Sequence, residues 1–261
     1  WLMTILARRG FSETEQIKSY LTKSLASLDD PLLIAGMDAA LNRIEKALSL
    51  KEAITIYGDY DVDGVCATTV LVEFLTNVGG KVDFYIPDRR AEGYGLNPEA
   101  IEQIATTSQL LITVDCGITA HRELELAQSL GLETIVVDHH QVPETLPPTI
   151  ACLNPQRNDC NFPFKGLCAA GVAFMLVVAL RRHLREKRWF TDQEQPDVRT
   201  LLDIVAVATV ADMVPLEKTN RTLVTAGLRE MSKERRVGLR ELIKVAKVDA
   251  RRVSASAPDH H

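Results

Sequence analysis

The feature that most constrains this chain is an alternation running from residue 53 to residue 137. Short, β-branched apolar runs at residues 53–57, 82–86, 110–114 and 134–137 are separated by segments at 64–78, 98–106 and 120–130 whose apolar side chains recur at helical spacing. Runs of four or five residues bounded by Gly, Pro and Asp read as buried strands, and the segments between them are long enough to be crossover helices. That pattern predicts an α/β fold: a mostly parallel sheet, right-handed connections, and helices on both faces. A further strand is expected at 149–153, and helical segments at 166–184, 198–210, 220–231 and 238–245, with a polar connector at 189–196. Ahead of the sheet, Ser12-Glu13-Thr14-Glu15 fits a capping box for a helix reaching about residue 25. Asp30-Pro31 is expected to start a second helix, carried by Leu33, Met37, Ala40, Leu41, Ile44 and Leu48. The chain therefore divides into a helical N-terminal segment (1–50), an α/β domain (51–217), a helical end to that domain (218–250), and a linker or tail (251–261).

Composition narrows the function. The hydrophobic share of 46% is that of a globular core, and 30 basic against 35 acidic residues, a formal charge of −5, argue against nucleic-acid binding through overall charge. A local basic groove is compatible with it. Five cysteines without a Cys-x-x-Cys pair suggest neither a disulfide framework nor a zinc ribbon, so reduced thiols and a cytoplasmic location are expected. No apolar stretch of about 18 residues is present, and no membrane contact is expected. The chain opens on Trp1 rather than Met, which suggests a fragment, and its two closing histidines read as the start of an expression tag.

The chemistry collects where the predicted strands end. The first is followed by Gly58-Asp59-Tyr60-Asp61-Val62-Asp63-Gly64, the second by Pro87-Asp88-Arg89-Arg90, the third by Asp115-Cys116-Gly117 and the fourth by Asp138-His139-His140. In a parallel sheet all four exits lie at one edge, where open α/β folds bind their ligands. Carboxylates gathered there would repel by kilocalories, and a cation is the simplest resolution. Asp61, Asp63, Asp115 and His139 form a mixed oxygen and imidazole set suited to Mn²⁺ or Mg²⁺, and Asp212, stranded at the end of an apolar segment, would complete a two-metal site. Other sites fit poorly. An EF-hand beginning at Asp59 would need Glu at its twelfth position, which is Val70; the acidic loop lacks the glycine pattern of a dinucleotide fold; no P-loop is present; and acids beside Cys116 would raise its pKa and blunt it as a nucleophile.

The motifs Gly58–Gly64, Val114-Asp115-Cys116-Gly117-Ile118, Asp138-His139-His140 and Ala211-Asp212, in that order, resemble the metal-binding motifs of the DHH phosphoesterase superfamily. Ile86-Pro87-Asp88-Arg89-Arg90-Ala91-Glu92-Gly93-Tyr94-Gly95-Leu96, Asn154-Pro155 and the stretch from Gly166 to Phe174 further resemble its RecJ-type branch of single-strand-specific exonucleases. The likeness spans roughly residues 5–255. It implies two ions, Mn²⁺ or Mg²⁺, with Asp61 on one, Asp63 on the other, Asp115 between them, and His139 and Asp212 completing the second. It also implies that His140 meets the scissile phosphate or its leaving oxygen, with Asp59 and Asp138 orienting ligands. Arg89 is a candidate for a phosphate, and Tyr94, Phe162, Phe164 and Lys165 are candidates for the strand.

The implied activity is 5′→3′ hydrolysis of single-stranded DNA to 5′-mononucleotides in repair and recombination. A hydrolase of short oligonucleotides or cyclic dinucleotides is the same-chemistry alternative, and a non-catalytic DNA-binding scaffold the alternative from another class. Expected partners are single-stranded DNA, a helicase or single-strand-binding protein, and the C-terminal domains that complete members of the branch carry beyond this stretch.

Overall fold

Strands β1 (Ala53–Gly58), β2 (Lys81–Tyr85), β3 (Leu110–Val114), β4 (Glu133–Val137) and β5 (Ala151–Leu153) form one sheet in the order β2-β1-β3-β4-β5. Every pairing is parallel. The computed structural model describes residues 2–8, 10, 12–21, 24–191 and 194–247. The tail expected at 251–261, Trp1 and the terminal histidines lie outside them. The ten helices among the described residues are α1 (Leu2–Arg8), α2 (Thr14–Leu21), α3 (Met37–Leu50), α4 (Val62–Asn77), α5 (Pro98–Ala105), α6 (His121–Ser129), α7 (Ala169–Glu186), α8 (Leu202–Ala211), α9 (Lys218–Met231) and α10 (Val237–Val245).

The strands are apolar on both faces because both are covered. Ile54, Ile56, Leu110, Ile112, Val114, Ile135 and Val137 point into a layer shared with α3, α4 and α7, while Tyr57, Leu111 and Val136 join a second cluster with Ile101 and Ile104 of α5 and Leu124 of α6. This is the two-residue alternation of a pleated sheet applied to continuous apolar runs. The helix α7 is buried along most of its length, from Ala169 through Leu180, which explains its lack of a polar face. The edge strand β2 is different, with Phe84 58% exposed.

Two N-terminal expectations are corrected. The segment from Asp30 is not one helix: Asp30 caps a 3₁₀ turn at Pro31–Leu33, and α3 begins only at Met37, because Gly36 takes a left-handed φ of 85°. The helix expected from Ser12 runs Thr14–Leu21, and the amide of Ile17 donates to the Glu13 carbonyl at 3.0 Å, so it starts one residue later than a capping box on Ser12 implies. The Glu15 side chain and residues 22–23 lie outside the description. The connector at 189–196 is also less polar than expected, since Trp189 and Phe190 pack against the core and the Trp189 indole donates to the Val78 carbonyl at 3.1 Å.

Candidate metal centre at the strand exits

Register brings the acids together. Gly58 pairs with Val114 and Val114 with Val137, while Val137 pairs with Leu153. The next residue on each strand is Asp59, Asp115, Asp138 and Asn154, so four polar side chains leave the sheet side by side at its carboxyl edge. The ladder continues one step into them, with the amide of Asp115 donating to the Val137 carbonyl and that of Asp138 to the Leu153 carbonyl, each at 3.0 Å. Between β1 and β3 the strand order reverses, which is where doubly wound sheets open a ligand crevice.

Each acid is held by a local device. Asp61 caps α4, accepting from the Gly64 amide at 2.9 Å. Gly64 is required there: a Cβ would lie 2.5 Å from the Asp59 carbonyl oxygen. Asp63, in the first turn of α4, is 1% exposed, and its two oxygens accept the Ala169 and Ala170 amides at 2.6 and 2.8 Å. It thus caps α7, whose own Cys168 supplies no side-chain cap, and sits at the positive end of that helix. Asp115 has φ of 62°, a left-handed conformation that costs a residue with a Cβ about 1–2 kcal/mol, and it is followed by Gly117 at φ 106°. Asp212 is the C-cap of α8.

The imidazole of His139 lies among them. Its Nε2 is 3.2 Å from Asp115 Oδ1 and 3.7 Å from Asp63 Oδ2, and its Nδ1 is 3.8 Å from Asp212 Oδ2. Two carboxylate-rich groupings result, Asp63, His139 and Asp212 in one and Asp59, Asp61 and Asp115 in the other, each with ligand atoms within 4.8 Å of one another. Asp115 also groups with His139 and His140. Asp59, expected to act behind the ligands, belongs to one of these groupings.

Burial without compensation marks this cluster. Asp59 Oδ1, Asp115 Oδ1 and Asp212 Oδ2 are buried and lack a hydrogen-bond partner, a costly state for a carboxylate oxygen. Burial, reinforced by the neighbouring Asp63 and Asp61, pushes the Asp115 carboxyl up to about 10. Burial also raises Asp59, Asp63 and Asp212 above the ordinary carboxylate range. Capping would leave the oxygens of Asp59, Asp115 and Asp212 satisfied, so it does not account for the set. The charge deficit and the oxygen-and-imidazole donors fit divalent cations such as Mn²⁺ or Mg²⁺.

Asp138 is the contrast. It is fully buried, yet accepts the Ile118 amide at 3.0 Å, the His139 and His140 amides at 2.7 and 3.0 Å, and the His140 ring Nδ1 at 2.8 Å. Burial alone would raise its carboxyl; the His140 ring and amide outweigh it and bring the carboxyl below its usual value. The same hydrogen bond raises His140 above the ordinary histidine value and leaves Nε2 as the nitrogen available to a substrate.

Arg89, Tyr60, Tyr94 and His140 form a continuous row. The Arg89 guanidinium lies 5.3 Å over the Tyr60 ring, Tyr60 meets Tyr94 edge-on at 6.5 Å, and Tyr94 meets His140 edge-on at 6.4 Å. Beside it a cleft of about 450 Å³ is lined by Tyr94, residues 116–120, Asp138 and His140. The other candidates fall away from the row: Phe162 and Phe164 are core residues, and the Lys165 ammonium donates to the Cys160 carbonyl at 2.6 Å. Cys116 is buried, and its thiol is driven well above the ordinary value by that burial and by Asp138 and Asp115, as expected of an inert thiol.

Four contributors had no role in the sequence reading. Asn154, fully buried, donates through Nδ2 to the His140 carbonyl at 2.9 Å, and the Gln156 amide donates to the His139 carbonyl, so the loop after β5 holds both histidines in place. Tyr60 lay inside a quoted motif without a role. The α7 amides on Asp63 had no signal, since a backbone donor 106 residues away leaves no mark on side-chain pattern.

The family model described as the DHH family, N-terminal domain, matches residues 53–209, more than half of the chain. The chain belongs to the DHH family. It is 41% identical over 244 residues to the single-stranded-DNA-specific exonuclease RecJ of Bacillus subtilis, covering 93% of this chain and 29% of that protein. A crystal structure of RecJ from Thermus thermophilus in complex with Mn²⁺ superposes with a TM-score of 0.76 at 34% identity, over 96% of this chain and 34% of that one. An exonuclease RecJ bound to manganese gives a TM-score of 0.73 at 36% identity, over 85% of this chain and 55% of that one. The chain thus spans about a third of the Bacillus and Thermus relatives' length. No helix among the described residues is long and apolar enough to cross a membrane.

Proposed function

We propose that this chain is the catalytic core of a metal-dependent phosphodiesterase that removes 5′-mononucleotides from single-stranded DNA, working from the 5′ end, in repair and recombination. The observation that carries the reading is the set of buried, unpartnered oxygens on Asp59, Asp115 and Asp212, the last two of them against the His139 ring. Support for the substrate comes from the RecJ relatives, which are named for single-stranded DNA, and from the row of Arg89, Tyr60 and Tyr94 beside the acids.

Asp61 would hold one ion and Asp63 the other, with Asp115 between them and His139 and Asp212 completing the second; Asp59 is within reach of the first. Divalent ions held there would supply an activated water for in-line attack on phosphorus and neutralise the charge that develops. The chain's own groups do the rest. Asp138 fixes the His140 ring and favours its protonated form, from which Nε2 would give a proton to the departing 3′ oxygen. The Arg89 guanidinium offers a planar fork to a phosphate, and the exposed Tyr94 ring offers a face to a base. The buried, reduced thiols agree with the cytoplasm as the place of work, and a helicase or a single-strand-binding protein is the partner such an enzyme needs to obtain its strand.

The test uses the complete polypeptide with Mn²⁺ and a 5′-phosphorylated single strand labelled at either end, beside a duplex and a dinucleotide. Release of mononucleotides from the 5′ end of the single strand is expected. Preferential cleavage of the dinucleotide would move the function to the small-substrate branch of the family, and no cleavage would contradict the reading.

A further inference from the structure

Asp61 and Asp63 follow β1, Asp115 follows β3 and His139 follows β4, so the sheet sets their spacing. Asp212 caps α8, a helix outside the sheet, and yet its oxygen must meet His139 and Asp63 within a few ångströms. Something other than strand register fixes that approach.

Asn220, on α9, is fully buried, and its Nδ2 donates to two carbonyls, Gly166 at 2.6 Å and Pro215 at 3.0 Å. Gly166 lies three residues before Ala169, whose amide together with that of Ala170 holds Asp63. Pro215 lies three residues after Asp212. The two loops touch, for a Cβ on Gly166 would stand 3.5 Å from Pro215 Cδ. Helix α9 is a firm post for this amide: a Cβ on Gly227 would come within 2.1 Å of the Leu202 carbonyl oxygen, so α9 lies directly against the start of α8. The Asn220 Oδ1 is buried without a partner, which leaves the two N–H groups as the polar work of the side chain.

We propose that Asn220 is a positioning residue for the ion held by Asp63, His139 and Asp212. By joining the loop before α7 to the loop after α8, it sets the distance between Asp63 and Asp212. The proposal rests on the two-ion reading above and adds a residue that touches neither ion nor substrate.

The test titrates Mn²⁺ into the complete polypeptide, reading the free ion by electron paramagnetic resonance, for the wild type, Asn220→Ala, Asn220→Leu and Thr219→Val. Thr219 neighbours Asn220 on α9 and donates to Asp29 at 3.0 Å, so Thr219→Val reports on loosening of α9 alone. Asn220→Ala is expected to weaken one ion about 10–100-fold while the other stays within about twofold, as for partners that orient metal ligands. Cleavage lost at low Mn²⁺ should return at high Mn²⁺. Asn220→Leu, which keeps the size of the side chain and removes both donors, should move the same ion in the same direction, and Thr219→Val should lower Tm while moving neither. Unchanged affinity for both ions in Asn220→Ala, or an equal loss in Thr219→Val, overturns the proposal. If Asn220→Ala does not fold, Asn220→Leu decides alone, and an unchanged titration there is equally fatal. A wild type that binds fewer than two ions would instead contradict the two-ion reading.

Discussion

Asp115 carries the largest electrostatic strain in the site and so offers the sharpest predictions at the scale of one residue. Its carboxyl, raised to about 10 by burial and by Asp63 and Asp61, holds a proton at neutral pH until a cation replaces it. Mn²⁺ binding should therefore release about one proton, seen as a dependence of the calorimetric heat on buffer ionisation enthalpy; heats independent of buffer would contradict it. Asp115→Asn should abolish binding of at least one ion, yet raise the apoprotein's Tm at pH 8, because the amide is neutral without the proton that folding forces onto the carboxyl. His140 acts in the other direction. Its acid form is held to higher pH by Asp138, so in Asp138→Asn the alkaline limb of the kcat profile should move to lower pH and kcat fall about 10–100-fold. Much of this is legible in the sequence: Asp61, Asp63, Asp115, His139 and Asp212 stand out as acids and an imidazole at strand or helix ends, and the structure brings them together. Asp59 reads as an orienting group by the family resemblance; its unpartnered Oδ1 argues for a place beside Asp61 and Asp115.

At the scale of elements, legibility follows the strength of the periodic signal. The strand β3 is expected at its observed limits, and β1, β2, β4 and the helices between them within two residues, because apolar runs bounded by Gly, Pro and Asp leave little freedom. The segment at 30–50 reads as one helix because its apolar spacing continues across Gly36, and a left-handed glycine interrupts hydrogen bonding without interrupting the pattern. Close approach of elements is equally invisible, since it depends on partners far away in the chain. The first turn of α4 against Asp59 is the case that matters for the site. Gly64→Ala places a methyl 2.5 Å from the Asp59 carbonyl oxygen, so a loss of about 1–3 kcal/mol in urea unfolding is expected, with weakened Mn²⁺ binding because Asp61 and Asp63 ride on the same turn. An unchanged midpoint and affinity would show that this turn gives way freely.

For the molecule as a whole, the site is a liability to folding until it is filled. A carboxyl whose folded pKa is raised contributes stability that is complete below its unfolded pKa near 4 and is lost as pH rises through the folded value, here about 10 for Asp115. The metal-free protein should therefore lose stability between about pH 6 and 9, by no more than about 1.4 kcal/mol per pH unit for this group, and Mn²⁺ should reverse the trend. Asp138, with its lowered value, works oppositely and weakens the fold only as acid protonates it. A flat Tm across that range in chelator would argue that the acids are satisfied without a cation. The central claim is that the strand exits of this parallel sheet, joined by Asp212, form a two-ion site for phosphodiester hydrolysis. The most direct measurement is anomalous diffraction at the manganese edge from crystals of the protein grown with Mn²⁺. Two peaks about 4 Å apart, flanking Asp115 and within bonding distance of Asp61, Asp63, His139 and Asp212, are expected; an empty cluster, or manganese bound only elsewhere, would contradict the account.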